Sequence, residues 1–222
     1  MRADDLTAEA REAAMCAWDR EGGAARRGRG TLYRSRALDV IFTLAPPWLP
    51  YLVMGPIAIV SLLQASRELS WAHLTIVMLA GGLSWTWVEY AMHRWLFHAP
   101  AEREAARVVL LLVHGHHHVW PDDRWRIAAT PIQFGSLALL LFGIFSLVLP
   151  RGEALGAFGG AMIAYLAYEL VHFYAHHGRA QHGWRGALRR HHMRHHHESP
   201  RARWGIGSPL WDLLLRTNGD DA

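Results

Sequence analysis

Fourteen of the sixteen histidines fall in four short stretches: HRWLFH (His93, His98), HGHHH (His114, His116, His117, His118), HFYAHH (His172, His176, His177) and HHMRHHH (His191, His192, His195, His196, His197). Imidazole ligates iron, zinc, copper and nickel, and this many rings without a cysteine cluster point to a site for two metal ions. On a helix, residues at i, i+3 and i+4 share a face. The H-x-x-H-H registers His114/His117/His118 and His192/His195/His196 are therefore each expected to aim three rings at one point, and His172 with His176 likewise. His93 and His98, five apart, stand about 140° around an ideal helix, a spacing that suits flanking two ions better than sharing one. His116, His191 and His197 lie outside the repeated registers and read as neighbours. His73 reads as interfacial and His182 as solvated.

Such rings need elements that bring them to one depth. The chain has 222 residues, 51% of them hydrophobic, with eleven Trp, which is too apolar for an ordinary soluble domain. Uncharged stretches occupy residues 40–66, 70–88, 127–150 and 154–168, the last continuing past Glu169. Each is near the roughly 20 residues that cross a bilayer. The fold class expected is all-α integral membrane, with four transmembrane helices as two hairpins and a cytoplasmic helical cap holding the dimetal site. The short joints at 67–69 and 151–153 make antiparallel neighbours, and every long connection lies on the histidine side. A helix over 71–98 would measure about 42 Å and lift His93 and His98 just above the lipid.

Charge gives the orientation. All 23 basic residues are Arg, and only Arg67 and Arg151 lie on the short-joint side. The positive-inside rule then places the histidine side in the cytoplasm. The all-Arg, short-looped composition points to a bacterial plasma membrane. A pI near 9.7 invites a nucleic-acid reading, but the Arg are dispersed and the topology accounts for them, so no nucleic-acid partner is expected. Residues 1–36 form a polar segment with no secretory apolar core, 37–217 the membrane domain and 218–222 a tail. Cys16, the single cysteine, reads as incidental.

Other classes fit less well. A loose chelating surface needs no fixed spacing. A zinc hydrolase would want a general-base carboxylate in a pattern such as H-E-x-x-H, which does not occur. A metal transporter needs polar groups through the membrane interior, and residues 127–150 hold few. WVEYAMHRWLFH and AYELVHFYAHH echo each other, each ending an apolar run with Glu, then His, then a further His. Glu89 and Glu169 stand at that depth, where acids are either functional or interfacial.

The runs EYAMHRWLFH, HGHHHVWPDDRWRIAATP, YELVHFYAHH, LRRHHMRHHH and WGIGSPLWDLLLRT, in this order over residues 84–217, resemble the membrane fatty acid hydroxylase/sterol desaturase superfamily, nearest its fatty acid 2-hydroxylase branch. The resemblance implies a di-iron monooxygenase that uses dioxygen to hydroxylate a lipid acyl chain at the 2-position. It implies as metal ligands His93, His98, His114, His117, His118, His172, His176, His192, His195 and His196, with His177 behind them. His116 and His191 depart from the family pattern. Zinc can replace iron on overexpression, by the Irving–Williams order.

Glu89, Asp123, Glu169 and Asp212 are then candidate acceptors that fix imidazole tautomers. The chain carries no haem-attachment, iron–sulfur or dinucleotide motif, and residues 1–36 are too short for a fused haem domain. Electrons are therefore expected from a separate donor, ferredoxin-like or a haem carrier with its reductase. The alternative is a hydroxylase or desaturase of another lipid, a sterol, a carotenoid or a polar-lipid head group, since apolar pockets discriminate by shape.

Overall fold

Prolines and capping residues mark where each run becomes a helix. The structure, a computed structural model, describes residues 5–15 and 25–219, so Cys16 lies outside the described residues. α1 (Ala8–Met15) follows Thr7, whose hydroxyl accepts the Ala10 amide at 3.1 Å. α2 (Arg36–Phe42) ends before Pro46 and Pro47, and α3 (Leu49–Ala65) begins beyond them with Pro50 in its first turn. The stretch expected to run unbroken over 40–66 is therefore two helices, because proline lacks the amide hydrogen that an interior position must donate.

α4 (Trp71–Ala91) starts at Ser70, whose hydroxyl accepts the His73 amide, and passes without a break into a π-helical stretch, Met92–Phe97. α5 (Glu104–Leu110), a second π-helical stretch (Leu111–Gly115) and α6 (His116–Val119) form one winding unit. α7 (Pro131–Val148) opens with Pro131 in its first turn and the Gln133 side chain accepting the Thr130 amide. α8 (Arg151–His177), α9 (Gly183–His197) and the short α10 (Leu210–Leu214) complete the chain.

Among the described residues, two helices are long and apolar enough to cross a membrane: α7, with mean hydropathy 1.9, and α8, with 1.5. Four were expected. α3 is apolar but spans 17 residues. α4 has 21, yet Ser84, Thr86 and Glu89 dilute its apolar surface. α8 is the hub, packed against α3, α4 and α7.

Its glycines set how closely the helices approach. A Cβ on Gly160 would strike the Met78 carbonyl, and one on Gly81 would strike the Ala157 carbonyl, so the α4 and α8 backbones touch. Trp85, Phe134, Phe158, Met162 and Tyr165 pack together as the core shared by α4, α7 and α8.

A second core lies over that end. Leu6, Ala10 and Ala13 of the polar N-terminal segment pack with Leu32, Tyr33, Leu111, Val119 and Trp120. Asp39 ties that segment down by accepting the Leu32 and Tyr33 amides, and buried Arg126 in turn donates to Asp39 at 2.7 Å and to Asp123 at 2.6 Å. Removing one member of such a buried network strands the others without compensation. The N-terminal segment thus braces the π-helical stretch that carries His114.

Candidate metal centre

The ten histidines in register come together as two groups of five. One comprises His93, His98, His114, His118 and His195, the other His117, His172, His176, His192 and His196, and within each group the facing nitrogens lie within 4.8 Å of one another. Imidazole nitrogens about 2.0–2.1 Å from one ion stand roughly 2.9 Å apart at right angles and roughly 3.3 Å apart at the tetrahedral angle. The Nε2 pairs His117–His172 and His176–His192 are at 2.8 Å, His114–His118 at 3.0 Å, His192–His196 at 3.1 Å and His98–His118 at 3.2 Å. The Nε2 atoms of His93 and His195 are buried with no hydrogen-bond partner. Convergent lone pairs of this kind suit a cation better than one another, so the donor set fits a metal ion in each group.

The partition differs from the expectation that each H-x-x-H-H register serves one point. The i, i+4 pairs stay together: His114 with His118, His172 with His176, His192 with His196. The i+3 residues, His117 and His195, cross to the opposite group. At 100° per residue, i+4 lies about 40° from i while i+3 lies about 60° on its other side. α6 and α9 therefore each stand between the groups and feed both.

His93 and His98 also depart from expectation, since both join the first group instead of flanking two. The π-helical stretch explains this. Its hydrogen bonds run from i to i+5, as the His98 amide does to the His93 carbonyl at 3.3 Å, so residues five apart return to one side.

The carboxylates stand one layer further out than expected. Glu89 accepts the Ile206 and Gly207 amides, each at 2.7 Å. Glu169 accepts the Tyr165 hydroxyl at 2.7 Å and the Ala129 amide at 3.2 Å. Asp123 pairs with Arg126. Asp212 meets His191 at 3.1 Å and accepts the Trp204 and Gly205 amides and the Thr217 hydroxyl. Burial pushes the Asp212 carboxyl up, and these hydrogen bonds outweigh it and hold it below the usual carboxylate range. Backbone carbonyls take the role expected of the acids: Trp204 and Ala202 receive His93 Nδ1 at 2.5 Å and His195 Nδ1 at 2.8 Å.

The remaining histidines lie outside the groups. His116 is buried, its ring nitrogens facing the Leu111 and Arg126 carbonyls at 3.0 and 3.1 Å, and burial pushes it down to about 4. His177 packs on Phe173. His182 and His197 are exposed, and His73 is half-exposed beside Glu153. Sequence reasoning missed Asp39 and the carbonyls of Ala202 and Trp204. The W-G-I-G run after Arg203 was the available signal for the latter.

Burial, then the neighbouring imidazoles, push His114, His117, His118, His192, His195 and His196 well below their ordinary 6.5. Neutral rings are the form a metal needs. The sign of the linkage follows: the unfolded chain takes up protons near pH 6.5 while the folded chain resists. Stability of the metal-stripped protein should thus be complete above about pH 6.5 and fall steadily as pH drops toward 5. Thermal melts that are flat between pH 7 and 5 would contradict this.

A cavity of about 480 Å³ lies between α4, α7 and α8. Its walls include Met92, Leu96, Phe97, Phe134, Leu137 and Leu140, and its inner end reaches His93 and His114 of one group and His117 and His172 of the other. Leu96 and Leu140 are also 53% and 59% exposed on the outer surface. The cavity wall thus reaches the outer surface where the π-helical stretch Met92–Phe97 and α7 carry these two leucines.

A family model described as fatty acid hydroxylase matches residues 77–217. The dihydroceramide fatty acyl 2-hydroxylase FAH2 of Arabidopsis thaliana is 31% identical over 170 residues, covering 77% of this chain and 70% of that protein. The ceramide very long chain fatty acid hydroxylase scs7 of Schizosaccharomyces pombe is 30% identical over 180 residues, 80% of this chain and 52% of its own length. The chain therefore spans about half to 70% of these curated relatives. A solved structure of full-length scs7p, with only the hydroxylase domain visible, superposes with a TM-score of 0.81 at 26% identity, covering 88% of this chain and 75% of that one. These relatives come from a plant and a yeast and lend no support to the bacterial membrane expected from composition. Because the match begins within α4, takes in both histidine groups and ends after α10, the chain belongs to the fatty acid hydroxylase family.

Proposed function

We propose that the chain is a membrane-embedded, oxygen-dependent hydroxylase of a lipid acyl chain, acting at the 2-position, with an iron ion in each histidine group. One observation carries this reading: an apolar cavity of about 480 Å³, with surface-exposed Leu96 and Leu140 in its wall, reaches histidines of both groups. The names of the relatives, which include a fatty acyl 2-hydroxylase and a ceramide fatty acid hydroxylase, support the substrate class. Two irons held by these histidines would supply the activation of dioxygen needed to attack a C–H bond of the acyl chain.

The rest falls to the chain's own residues. Leu137 and Leu140 admit an alkyl chain from the bilayer, and Met92, Phe97 and Phe134 hold it along the cavity. Burial of that chain keeps water from the reacting carbon, worth about 0.8 kcal/mol per methylene in binding. Neutral imidazoles hold both cations without a compensating carboxylate, and the carbonyls of Ala202 and Trp204 orient two of the rings.

In the topology that accompanies this reading, α3, α4, α7 and α8 span the membrane and the histidine end forms a cap, cytoplasmic by the arginine asymmetry. Two electrons per turnover come from a separate donor protein docking on that Arg-rich side. Its salt sensitivity follows from screening.

Cells expressing the chain under oxygen-18 gas should accumulate acyl chains hydroxylated at C2 and carrying the label. Label entering from water, or hydroxylation without oxygen, would overturn the reading. The purified folded protein should hold two metal ions per chain, with zinc replacing iron when overexpression outruns iron supply.

A further inference from the structure

The two histidine groups are oriented by different means. In the first, His93 Nδ1 and His195 Nδ1 face the carbonyls of Trp204 and Ala202. A carbonyl only accepts, so each Nδ1 carries the proton and each Nε2 turns its lone pair inward. Both carbonyls belong to one loop, residues 202–207, and the amides of its last four residues are all taken by two carboxylates. Asp212 takes the Trp204 amide at 2.9 Å and the Gly205 amide at 2.7 Å, and Glu89 takes the next two amides from the α4 side.

In the second group, the Nδ1 atoms of His117, His172, His192 and His196 are buried with no hydrogen-bond partner. His93 and His195, the two rings oriented by carbonyls, are also 1% and 0% exposed, whereas His98, His176 and His196 are each partly exposed.

We infer that the 202–207 loop, clamped by Asp212 and Glu89, makes the His93/His98/His114/His118/His195 group the tighter metal site, and that the other group exchanges its ion more readily. Hydrogen bonds to the far nitrogen of a ligating imidazole fix its tautomer and orientation and are worth about 10- to 100-fold in metal affinity. The first group has two such bonds in a rigid frame. Asp212 is on this account a positioning residue: it acts on the metal through the Trp204 backbone and His93. The inference rests on the dimetal reading proposed above.

The test is chelator kinetics on the intact zinc-loaded protein in detergent, with a colorimetric pyridylazo chelator in excess. The wild type should release its zinc in two phases of equal amplitude, with rates at least about tenfold apart. Asp212→Asn should speed the slow phase about 10- to 100-fold and leave the fast phase unchanged. Thr217→Val, which removes one hydrogen bond from Asp212, should move the same phase by less, and it guards against misfolding of the stronger variant. His176→Ala should delete the fast phase alone.

A single phase for both ions, or acceleration of the fast phase by Asp212→Asn, would overturn the inference. Two ions released as described by a protein that hydroxylates no lipid would sink the proposed reaction and leave the inference standing. Fewer than two ions in folded wild type would sink both.

Discussion

Replacing His117 by alanine is expected to abolish lipid hydroxylation, by at least about 100-fold, and to cut bound metal from two ions per chain toward one. His117 is the residue of α6 that crosses to the second group. Its ring stands 4.4 Å from that of His176, 4.5 Å from His172 and 4.7 Å from His196. It is thus what joins α6 to the group otherwise built from α8 and α9. His197→Ala, at an exposed position on the same α9 that carries His195 and His196, should change neither metal content nor product. His116→Ala is expected to keep both ions but lower the melting temperature, because the neutral ring donates to one of the buried Leu111 and Arg126 carbonyls, and alanine leaves that carbonyl without its donor. Metal analysis and lipid mass spectrometry on the same preparations decide it. His117→Ala protein with two ions and full turnover would remove the second group from the mechanism.

Gly160→Leu should have the other large effect, this time on folding. The new side chain would have to enter the Met78 backbone, and the neighbour cannot rotate away as a side chain would. Overpacking of this kind costs about 1–3 kcal/mol and more where backbone must move. α4 leads into His93 and α8 carries His172 and His176, so a shift between them should loosen both groups at once. Melting temperature and metal content should fall together. Gly135→Ala and Gly143→Ala on α7 meet nothing within 4 Å and supply the contrast, expected to be neutral or to gain up to about 1 kcal/mol of helix propensity. A Gly160→Leu protein as stable as these would show that the α4–α8 contact is not what sets the helix spacing.

Side-chain type and spacing made the ten grouped histidines readable in advance, because imidazole chemistry and helical periodicity are both written in residue letters. Their sorting into two groups was not, since it depends on winding. His93 and His98 share a side only because the backbone between them is π-helical, and nothing in M-H-R-W-L-F announces that. Glu89 drew attention as an acid near the lipid, yet it binds amides of Ile206 and Gly207, and the true partners of His93 and His195 are main-chain carbonyls that every residue has. The break at Pro46 and Pro47 was legible by rule, but a long apolar run masked it. The docking of Leu6 and Ala10 on Leu111 and Trp120 escaped because a short apolar face in a charged segment reads as solvated.

The 202–207 loop also has a meaning in time. Ribosomes deliver the chain from the amino end, so α4 and the His93 ring are in place while the carbonyls that aim His93 and His195 are still unmade. Asp212, which fastens those carbonyls, follows later again. A chain stalled or cut before this point has its helices and much of its apolar surface but lacks the clasp of its first group. The orientation of His93 and His195 is thereby tied to synthesis of the chain through Asp212.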